Sequence, residues 1–552
     1  MLKIIYNGRI CLGRDIFCEA LVIENGRIIK TGSTRDLLNE IPAATEKIDA
    51  HGALVLPAFC DSHIHLMWVG RRTFNIVCTG ANSIDEVITR GREHIREFNP
   101  PAGTYIQGAG VNPDLFTAGE KRDLRREDLD KISTEHPIIL SRHCGHTIYC
   151  NSLALRLAGI GESAPGVDGG TIEKDVNGRP TGVLRENAND LVYVMVPEPS
   201  RDEMKEFIRV GMEKAHSFGI SACGSHDIEG PDFDSVIGAY RDVYDDYQKQ
   251  NKPALRVNLQ CGISFKEDIL DDYLKRDMYL APLWEDGRWG VFLKMGSVKL
   301  FIDGTLGGRT AWMRQPYKDK PETCGFPVLD QQSLIRYIKK ASAGGMQVLV
   351  HAIGDAGIDA VLHAFEAVAS EKVTTIKQNP LRHGIIHCQI TSADLLERMA
   401  GQKILALVQP VFLADDMHIL ESRVGPRLAS GSYAWHSIQK MGIPVSYGTD
   451  SPVSSLNPLP NIEWAVLRRN SEDPLSKCFV PDEKVDVYSA IDAYTAGSAF
   501  SCHNETYLGR IAVGYFADLV FLDKDIFAIP PQDIHKARVL RTLCAGETVY
   551  EN

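Results

Sequence analysis

Two histidines separated by one residue, His63 and His65, follow an apolar run at residues 54–59. In an extended strand, residues i and i+2 point to the same face, so a strand here would present two imidazoles side by side. Imidazole nitrogens are frequent ligands of divalent transition metals. The pair therefore predicts a metal site. The alternative is that both histidines are simple polar residues of a loop.

Four further residues of the metal-ligand type stand within or at the end of apolar runs. Lys299 lies in the run 297–303, where an unpaired ammonium would be costly to bury. Two explanations are open: carbamylation by CO₂, which makes the lysine an anionic oxygen ligand, or an ion pair with Asp303 or another barrel carboxylate. His351, His387 and Asp450 each end such a run. Singly, each would be a core histidine or a helix-capping aspartate, but together they predict one cluster.

Such a cluster needs a scaffold that brings the ends of several strands together. Apolar β-branched runs alternate with segments of helical period, which is typical of a parallel sheet built from βα units. The sequence therefore predicts an α/β fold, a (β/α)₈ TIM-type barrel with its catalytic groups at the carboxyl ends of the strands. The eight candidate strands are 54–65, 219–225, 255–263, 297–303, 347–351, 384–387, 405–409 and 445–450.

Short β-rich runs with Gly turns occur at both chain ends. They predict a small β-sandwich built from residues 1–57 and 508–552, with the barrel at 58–507. The first two candidate barrel strands are separated by far more residues than a βα unit contains, which predicts an inserted subdomain at about 70–200. Because this insert follows a barrel strand, we expect it to overhang the site as a lid.

The candidate set resembles, in residue types and chain order, the metal ligands of the amidohydrolase superfamily: His63, His65, Lys299, His351, His387 and Asp450. Other segments are similar to its amidohydrolase-3 branch, with YtcJ-like proteins and N-substituted formamide deformylase: VKLFIDGTLGGRTA at 298–311, VHAIGD at 350–355, GTDSPV at 448–453, HTIYCNSLAL at 146–155 and GRIAVGYFADLVFLD at 509–523. The resemblance covers nearly the whole chain and implies a TIM-type barrel with one or two divalent metals.

The resemblance also implies ligand roles. His63, His65 and Asp450 would hold the more buried metal, His351 and His387 would hold a second, and the carbamylated lysine would lie between them. Zn²⁺ is the first expectation for such ligands, and Fe²⁺ and Mn²⁺ are compatible. One departure stands out: relatives often carry Glu-His in the sixth strand, where this chain has Ile386 before its histidine. A carboxylate that would orient a metal-bound imidazole is then missing, which leaves the number of metals open.

The implied chemistry is attack of a metal-activated water on a small molecule, with Asp450 as general base and then general acid. The alternative role for Asp450 is capping the segment that follows it. His146 in the insert would hydrogen-bond the substrate carbonyl or its oxyanion, and Arg309 would pair with a substrate carboxylate. Three aromatic residues would line an apolar pocket, or would only pack: Trp68, Trp312 and Phe412.

The predicted function is hydrolysis of a carbon–nitrogen bond in an amide, N-formyl or N-acyl compound. Ester or lactone hydrolysis and deamination use the same site and remain open. A different kind of hypothesis is that the protein is a non-catalytic scaffold that keeps the barrel fold. Such proteins typically lose metal ligands, whereas this chain has a candidate ligand at each expected position.

Composition excludes other partners. The 552-residue chain has a formal net charge of −12 and no run of Lys and Arg, which argues against nucleic-acid binding. It has no apolar stretch of about 20 residues, so a membrane span is not expected. Thirteen scattered cysteines without a CxxC pair are typical of a reducing compartment. We therefore expect a cytoplasmic protein that acts on a small-molecule substrate and can form a homodimer.

Overall fold

The computed structural model describes residues 2–142, 146–167, 169–371, 379–473 and 475–552. The chain forms two compact units, one made of Met1–Gly70 with Met204–Asn552 and the other of Arg71–Glu203. Within the described ranges, none of the helices has both the length and the apolar character that a membrane span needs. The cysteines in these ranges are all free thiols.

Eight parallel strands, neighbours in chain order, form the central sheet of the larger unit. Every residue of Val348–Ala352 is buried, as expected for a parallel strand covered on both faces. The last and first strands meet at their carboxyl ends, where Asp450 N donates to His63 O (2.9 Å) and His65 N to Ser451 O (2.8 Å). The predicted TIM-type barrel is therefore confirmed. Its strands are Phe59–Ile64, Ile220–Glu229, Arg256–Gly262, Gly290–Phe301, Val348–Ala352, Gly384–His387, Leu405–Val408 and Val445–Tyr447.

Amphipathic helices pack around these strands. In Asp355–Glu371, for example, Ile358, Val361 and Phe365 recur at the helical period and are buried. The longer helices of this unit include Phe233–Lys249, Glu267–Arg276, Gln331–Ala343, Asp355–Glu371, Ala393–Gln402 and Pro458–Leu467. Helix Leu66–Thr73 leaves this unit at its end, and Arg201–Ser217 returns to it. Shorter helices are Thr34–Glu40, Leu413–Asp416, Leu420–Val424, Pro426–Ala429, Trp435–Lys440, Val487–Asp492 and Ser498–Ser501.

The single strand predicted at 54–65 is wrong, because the structure divides it between two sheets. Leu54–Pro57 pairs with strands near the chain termini, and Phe59–Ile64 is the first barrel strand. The backbone partner changes at Ala58: its N–H donates to Asp518 O (2.9 Å), whereas the next N–H, that of Phe59, donates to Gly219 O (2.8 Å). The apolar run continues through the change because both strands are buried, so hydrophobicity alone does not mark the boundary.

Strands from both chain ends share one sheet, in which Leu519–Leu522 runs antiparallel to Leu54–Pro57. A second sheet is formed by N-terminal residues alone. Ile5 and Ile23 of the second sheet belong to the same buried cluster as Val55 and Leu519 of the first. The six-stranded sheet has the order Glu547–Glu551, Val539–Cys544, Leu519–Leu522, Leu54–Pro57, Arg9–Gly13 and Ile16–Cys18. The four-stranded sheet has the order Arg27–Gly32, Ala20–Glu24, Leu2–Tyr6 and Glu46–Asp49.

The unit Arg71–Glu203 has its own sheet and its own apolar clusters. Its longest helix, Ile84–Phe98, begins where the Ser83 side chain accepts the Glu86 N–H and ends at Asn99, whose backbone is left-handed (φ 42°). Short helices are Arg126–Asp130, Ser152–Leu157 and Asp190–Tyr193. The sheet has the order Gly170–Lys174, Pro180–Glu186, Thr147–Cys150, Ile138–Arg142, Ile106–Val111 and Ile76–Val77.

Candidate metal centre

Three ligand-type side chains meet where the first and last barrel strands join. Asp450 Oδ1 lies 3.4 Å from His63 Nε2 and 3.2 Å from His65 Nε2, and one ligand atom from each residue lies within 4.8 Å of the other two. Asp450 Oδ1 is buried and has no hydrogen-bond partner among the described residues. A buried carboxylate oxygen without a donor is costly, and a cation between these three groups would remove the cost. The donor set therefore fits a divalent metal.

The other ring nitrogen of each histidine in this group is fixed by an acceptor. His63 Nδ1–H donates to Gln260 Oε1 (2.5 Å), and His65 Nδ1–H donates to the backbone oxygen of His226 (2.9 Å). Gln260 is itself oriented, because its Nε2 donates to Ser62 O (2.9 Å). With Nδ1 protonated, Nε2 of both rings carries the lone pair and faces Asp450, which is the tautomer that a metal needs.

The histidines of the fifth and sixth strands form a second pair with ring centroids 4.4 Å apart. His351 Nε2–H donates to Gly304 O (3.1 Å), and His387 Nδ1–H donates to Gln409 Oε1 (2.9 Å). The His387 ring centroid lies 6.1 Å from that of His63, so the second pair adjoins the first group. Although Ile386 offers no carboxylate to orient the His387 ring, Gln409 of the neighbouring strand end does so with an amide oxygen.

Lys299 lies within the fourth strand, 2% exposed, with Nζ 3.4 Å from His63 Nε2 and 4.6 Å from the Phe301 ring centroid. Among the described residues, no carboxylate oxygen lies within ion-pair distance of this ammonium. The predicted alternative, an ion pair with Asp303, is wrong, because that carboxylate instead accepts backbone N–H groups of Trp312, Ile353 and Gly354 (2.8 to 3.0 Å). Burial lowers the pKa of Lys299 to about 7, although Asp450 and Glu229 oppose the shift.

Burial also sets the charge of the other groups. It lowers the pKa of His63 and His351 well below the ordinary value and that of His387 to about 4, so these rings are neutral near pH 7. For Asp450, burial acts to raise the pKa, but the adjacent His65 ring and the neighbouring charges outweigh it and the net pKa is lowered. At neutral pH these three imidazoles are thus neutral and Asp450 is an anion, which are the protonation states that a metal requires.

The backbone is strained where it presents two of these groups. Asp450 and His387 have φ values of 53° and 77°, in the left-handed region that non-glycine residues rarely adopt. Asp61 holds the first of these turns, because its carboxylate accepts the Thr449 N–H, the Thr449 hydroxyl and the His63 N–H (2.8 to 3.1 Å). Gly448 is required beside it, since a Cβ there would lie 2.8 Å from Asp61 Oδ1.

The structure thus brings together all six candidate ligands. Of the other predicted site residues, Phe412 lies against them: its ring stacks on His387, with the ring centroids 5.9 Å apart. Arg309 is already paired with Asp319 through two hydrogen bonds (2.7 and 3.2 Å), so a substrate carboxylate would have to compete. Trp312 is half-buried and Trp68 is 50% exposed. His146 lies in the unit Arg71–Glu203, exposed, with Nδ1 3.0 Å from Glu186.

Sequence reasoning missed the two glutamines that orient the histidines, Gln260 and Gln409. Each is a polar residue within or at the end of an apolar run, the same signal that identified the ligands, but an amide does not suggest metal binding by itself. The second strand was predicted to end at residue 225, whereas it extends to Glu229, so His226 and Glu229 at its carboxyl end were not among the predicted site residues.

Replacement of Gln409 by leucine should weaken zinc binding by about 10- to 100-fold, because the His387 ring would lose the acceptor that fixes its tautomer and orientation. Competition for zinc against a chromogenic chelator measures the effect. Gln347→Leu is the matched control: Gln347 is equally buried but bonds Arg382 O and Ser501 O beside the amino end of the fifth strand. If the Gln409→Leu protein competed for zinc as well as wild type does, the proposed orienting role would be wrong.

The amidohydrolase family model matches residues 46–550 of the chain. YtcJ of Bacillus subtilis, which is named as an amidohydrolase, is 33% identical over 540 residues, covering 97% of this chain and 96% of YtcJ. The N-substituted formamide deformylase of Arthrobacter pascens is 25% identical over 561 residues, covering 99% of this chain and 97% of that protein. An uncharacterized metal-dependent hydrolase of Pyrococcus furiosus has a TM-score of 0.76 and 27% identity, covering 96% of this chain and 100% of that chain.

These similarities extend over the whole barrel and both terminal sheets, the same span as the resemblance noted in the sequence. The barrel fold and the clustered ligand-type side chains agree with them independently. The chain belongs to the amidohydrolase family.

Proposed function

We propose that this protein is a metal-dependent hydrolase that cleaves a carbon–nitrogen bond, in an amide, N-formyl or N-acyl compound of low molecular mass. The observation that carries the proposal is the convergence of His63, His65 and Asp450 around a buried carboxylate oxygen that lacks a donor. The named activity of the Arthrobacter relative, deformylation of N-substituted formamides, supports the choice of bond.

In this proposal His63, His65 and Asp450 would hold one metal, His351 and His387 would hold a second, and Lys299, once carbamylated, would supply an oxygen ligand. Zinc is the first candidate for these nitrogen and oxygen ligands. When bound, a divalent metal polarises the scissile carbonyl and makes water a better nucleophile at neutral pH.

The chain's own acid–base group is Asp450. Its carboxylate is anionic at neutral pH and buried, with Oδ1 3.2 Å from His65 Nε2. It takes a proton from the attacking water, holds that proton at a carboxylate oxygen, and delivers it to the leaving nitrogen, which otherwise departs poorly as an amide anion. Phe412, stacked on His387, helps to exclude bulk water from this side of the site.

The proposal extends to the parts around the barrel. The two terminal sheets, with their shared apolar cluster, act as a β-sandwich domain of residues 1–57 and 508–552. The barrel domain spans 58–507. The inserted unit acts as a lid that carries His146 toward the substrate carbonyl, and Trp68, Trp312 and Arg309 contribute to substrate binding. We further propose that the protein can form a homodimer.

Metal analysis of protein purified without added metal or chelator tests the proposal. We expect about one or two equivalents of zinc, iron or manganese per chain. The metal should be lost in a His63→Ala/His65→Ala double variant, because that variant lacks both histidine ligands of the first metal. The control is His363→Ala/His436→Ala, which removes two exposed histidines.

Screening the metal-loaded protein against N-formyl and N-acyl amines, with matched esters and lactones, then tests which kind of bond the protein cleaves. Preferential release of an amine supports the proposal, and hydrolysis of esters alone contradicts the choice of bond. Protein that neither contains metal nor takes it up would contradict the whole mechanism and favour the scaffold alternative.

A further inference from the structure

A cavity of about 310 Å³ opens beside Lys299 in the barrel unit. Its walls are mostly apolar, and two of them are aromatic rings. Besides Lys299 they include two carboxylates, Asp303 and Glu229, which differ in availability. Asp303 is almost fully buried and is occupied by three backbone N–H groups, whereas the Glu229 side chain is 50% exposed. Glu229 is therefore the carboxylate that a ligand in this cavity can reach.

Glu229 is held in one position. Its Oε1 accepts the Ser264 N–H (2.8 Å) and the Ser264 hydroxyl (2.7 Å), and His226 Nε2 lies 3.0 Å from Oε2. Gly262 makes room for this arrangement, because a Cβ there would lie 2.2 Å from Glu229 Oε2. The carboxylate is thus a preorganised anion at the edge of the cavity, and it loses little conformational entropy when it binds a ligand.

The two aromatic rings of the cavity suit a positive charge. The Phe265 side chain is 44% exposed. Phe265 and the preceding Ser264 both have a positive φ, 56° and 46°, a backbone conformation that is unusual for residues other than glycine. The exposed ring therefore follows directly on the residue that donates to Glu229. The Phe301 ring already has an ammonium near its face, that of Lys299 at 4.6 Å. Aromatic faces attract cations through the ring quadrupole, and a nearby carboxylate adds to the attraction.

We propose that Glu229, Phe265 and Phe301 form a binding subsite for an organic cation. Under the proposed function, on which this part rests, the substrate is an N-acyl or N-formyl compound that also carries an ammonium or guanidinium group. Carbamylation of Lys299 replaces its ammonium with an anion, which removes the one cationic side chain among the cavity-lining residues and increases its preference for a cationic ligand.

Binding of benzyltrimethylammonium to the metal-loaded protein tests the subsite, because a quaternary ammonium cannot ligate a metal. Benzyl alcohol is the neutral comparison. By isothermal titration calorimetry, we expect wild type to bind the cation at least about tenfold more tightly than the alcohol. Glu229→Gln keeps the size and the hydrogen bond from Ser264 but removes the charge, and should lower cation affinity about tenfold with little effect on the alcohol.

Glu285→Gln removes an exposed glutamate elsewhere on the same unit and should leave both affinities unchanged. Phe265→Leu tests the subsite independently, since this exposed side chain can change without disturbing the core; we expect a two- to fivefold loss for the cation alone. The subsite is disproved if wild type does not prefer the cation, or if Phe265→Leu and a folded Glu229→Gln both bind it as wild type does.

Turnover separates this inference from the proposed function. Two formamides are compared, N-benzylformamide and its ring-substituted analogue with a 4-aminomethyl group. If both are hydrolysed with equal kcat/KM, the function stands and the subsite is wrong. If the aminomethyl compound is preferred at least about tenfold, and Glu229→Gln abolishes the preference, both stand. If neither is hydrolysed although benzyltrimethylammonium binds in a Glu229-dependent way, the subsite stands and the formamide substrate class is wrong.

Discussion

Asp450→Asn should lower kcat by about 10²- to 10⁴-fold, the range typical of the loss of a general acid–base group. Asparagine preserves the shape of the side chain and one oxygen that can still contact a metal, but it cannot accept and return a proton at neutral pH. The measurement is steady-state kinetics on the best substrate of the formamide and amide panel, with metal content determined on the same preparation.

The metal content distinguishes the two roles proposed for this residue. If turnover falls while the metal stays, proton transfer is the lost function; if both fall together, the ligand role dominates. Asp286→Asn is the matched control, because Asp286 is also buried but accepts the Arg288 N–H and Gln248 Nε2 beside the amino end of the fourth strand. Asp450→Asn protein that keeps kcat within tenfold of wild type would rule out the acid–base role.

The sequence predicts the barrel and the clustering of ligand-type residues well, because both depend on local patterns. An apolar run that ends in a histidine or aspartate places that residue at the carboxyl edge of a parallel sheet, and a barrel brings all such edges together. The pairing of His63 with His65 needs only the two-residue period of a strand. Their roles as ligands stay predictions that the metal analysis tests.

Partners that come from different strands could not be predicted in the same way. Which acceptor reaches His387 depends on the register between neighbouring strands, and the amide of Gln409 supplies what the neighbouring Ile386 cannot. The same holds for Arg309, whose pairing with Asp319 depends on how one loop folds back. The change of sheet at Ala58 was hidden because burial is continuous across it.

A second large effect is expected at Lys299. Near pH 7 a substantial fraction of this lysine is the free amine, because burial lowers its pKa to about 7. The amine attacks CO₂: the Nζ–C bond forms, one C=O electron pair moves to oxygen, and a proton leaves to solvent. Protein equilibrated with ¹³C-bicarbonate should therefore show one carbonyl resonance that is absent from Lys299→Met. In that variant we expect at most one metal per chain and kcat lowered by about 10²-fold or more, because the carboxylate ligand between the metals is lost.

Lys294 provides a closely matched control. It stands on the same strand, is buried, and has a pKa that burial lowers to about 8, but its Nζ donates to His503 O (3.0 Å) at the opposite end of the barrel. Lys294→Met should keep the carbonyl resonance and the metal, since a lowered pKa alone does not stabilise a carbamate without cations to bind it. If the resonance were lost in Lys294→Met but kept in Lys299→Met, the modified residue would be Lys294 and the prediction would be wrong. If metal-loaded wild type showed no such resonance, Lys299 would act as an unmodified amine.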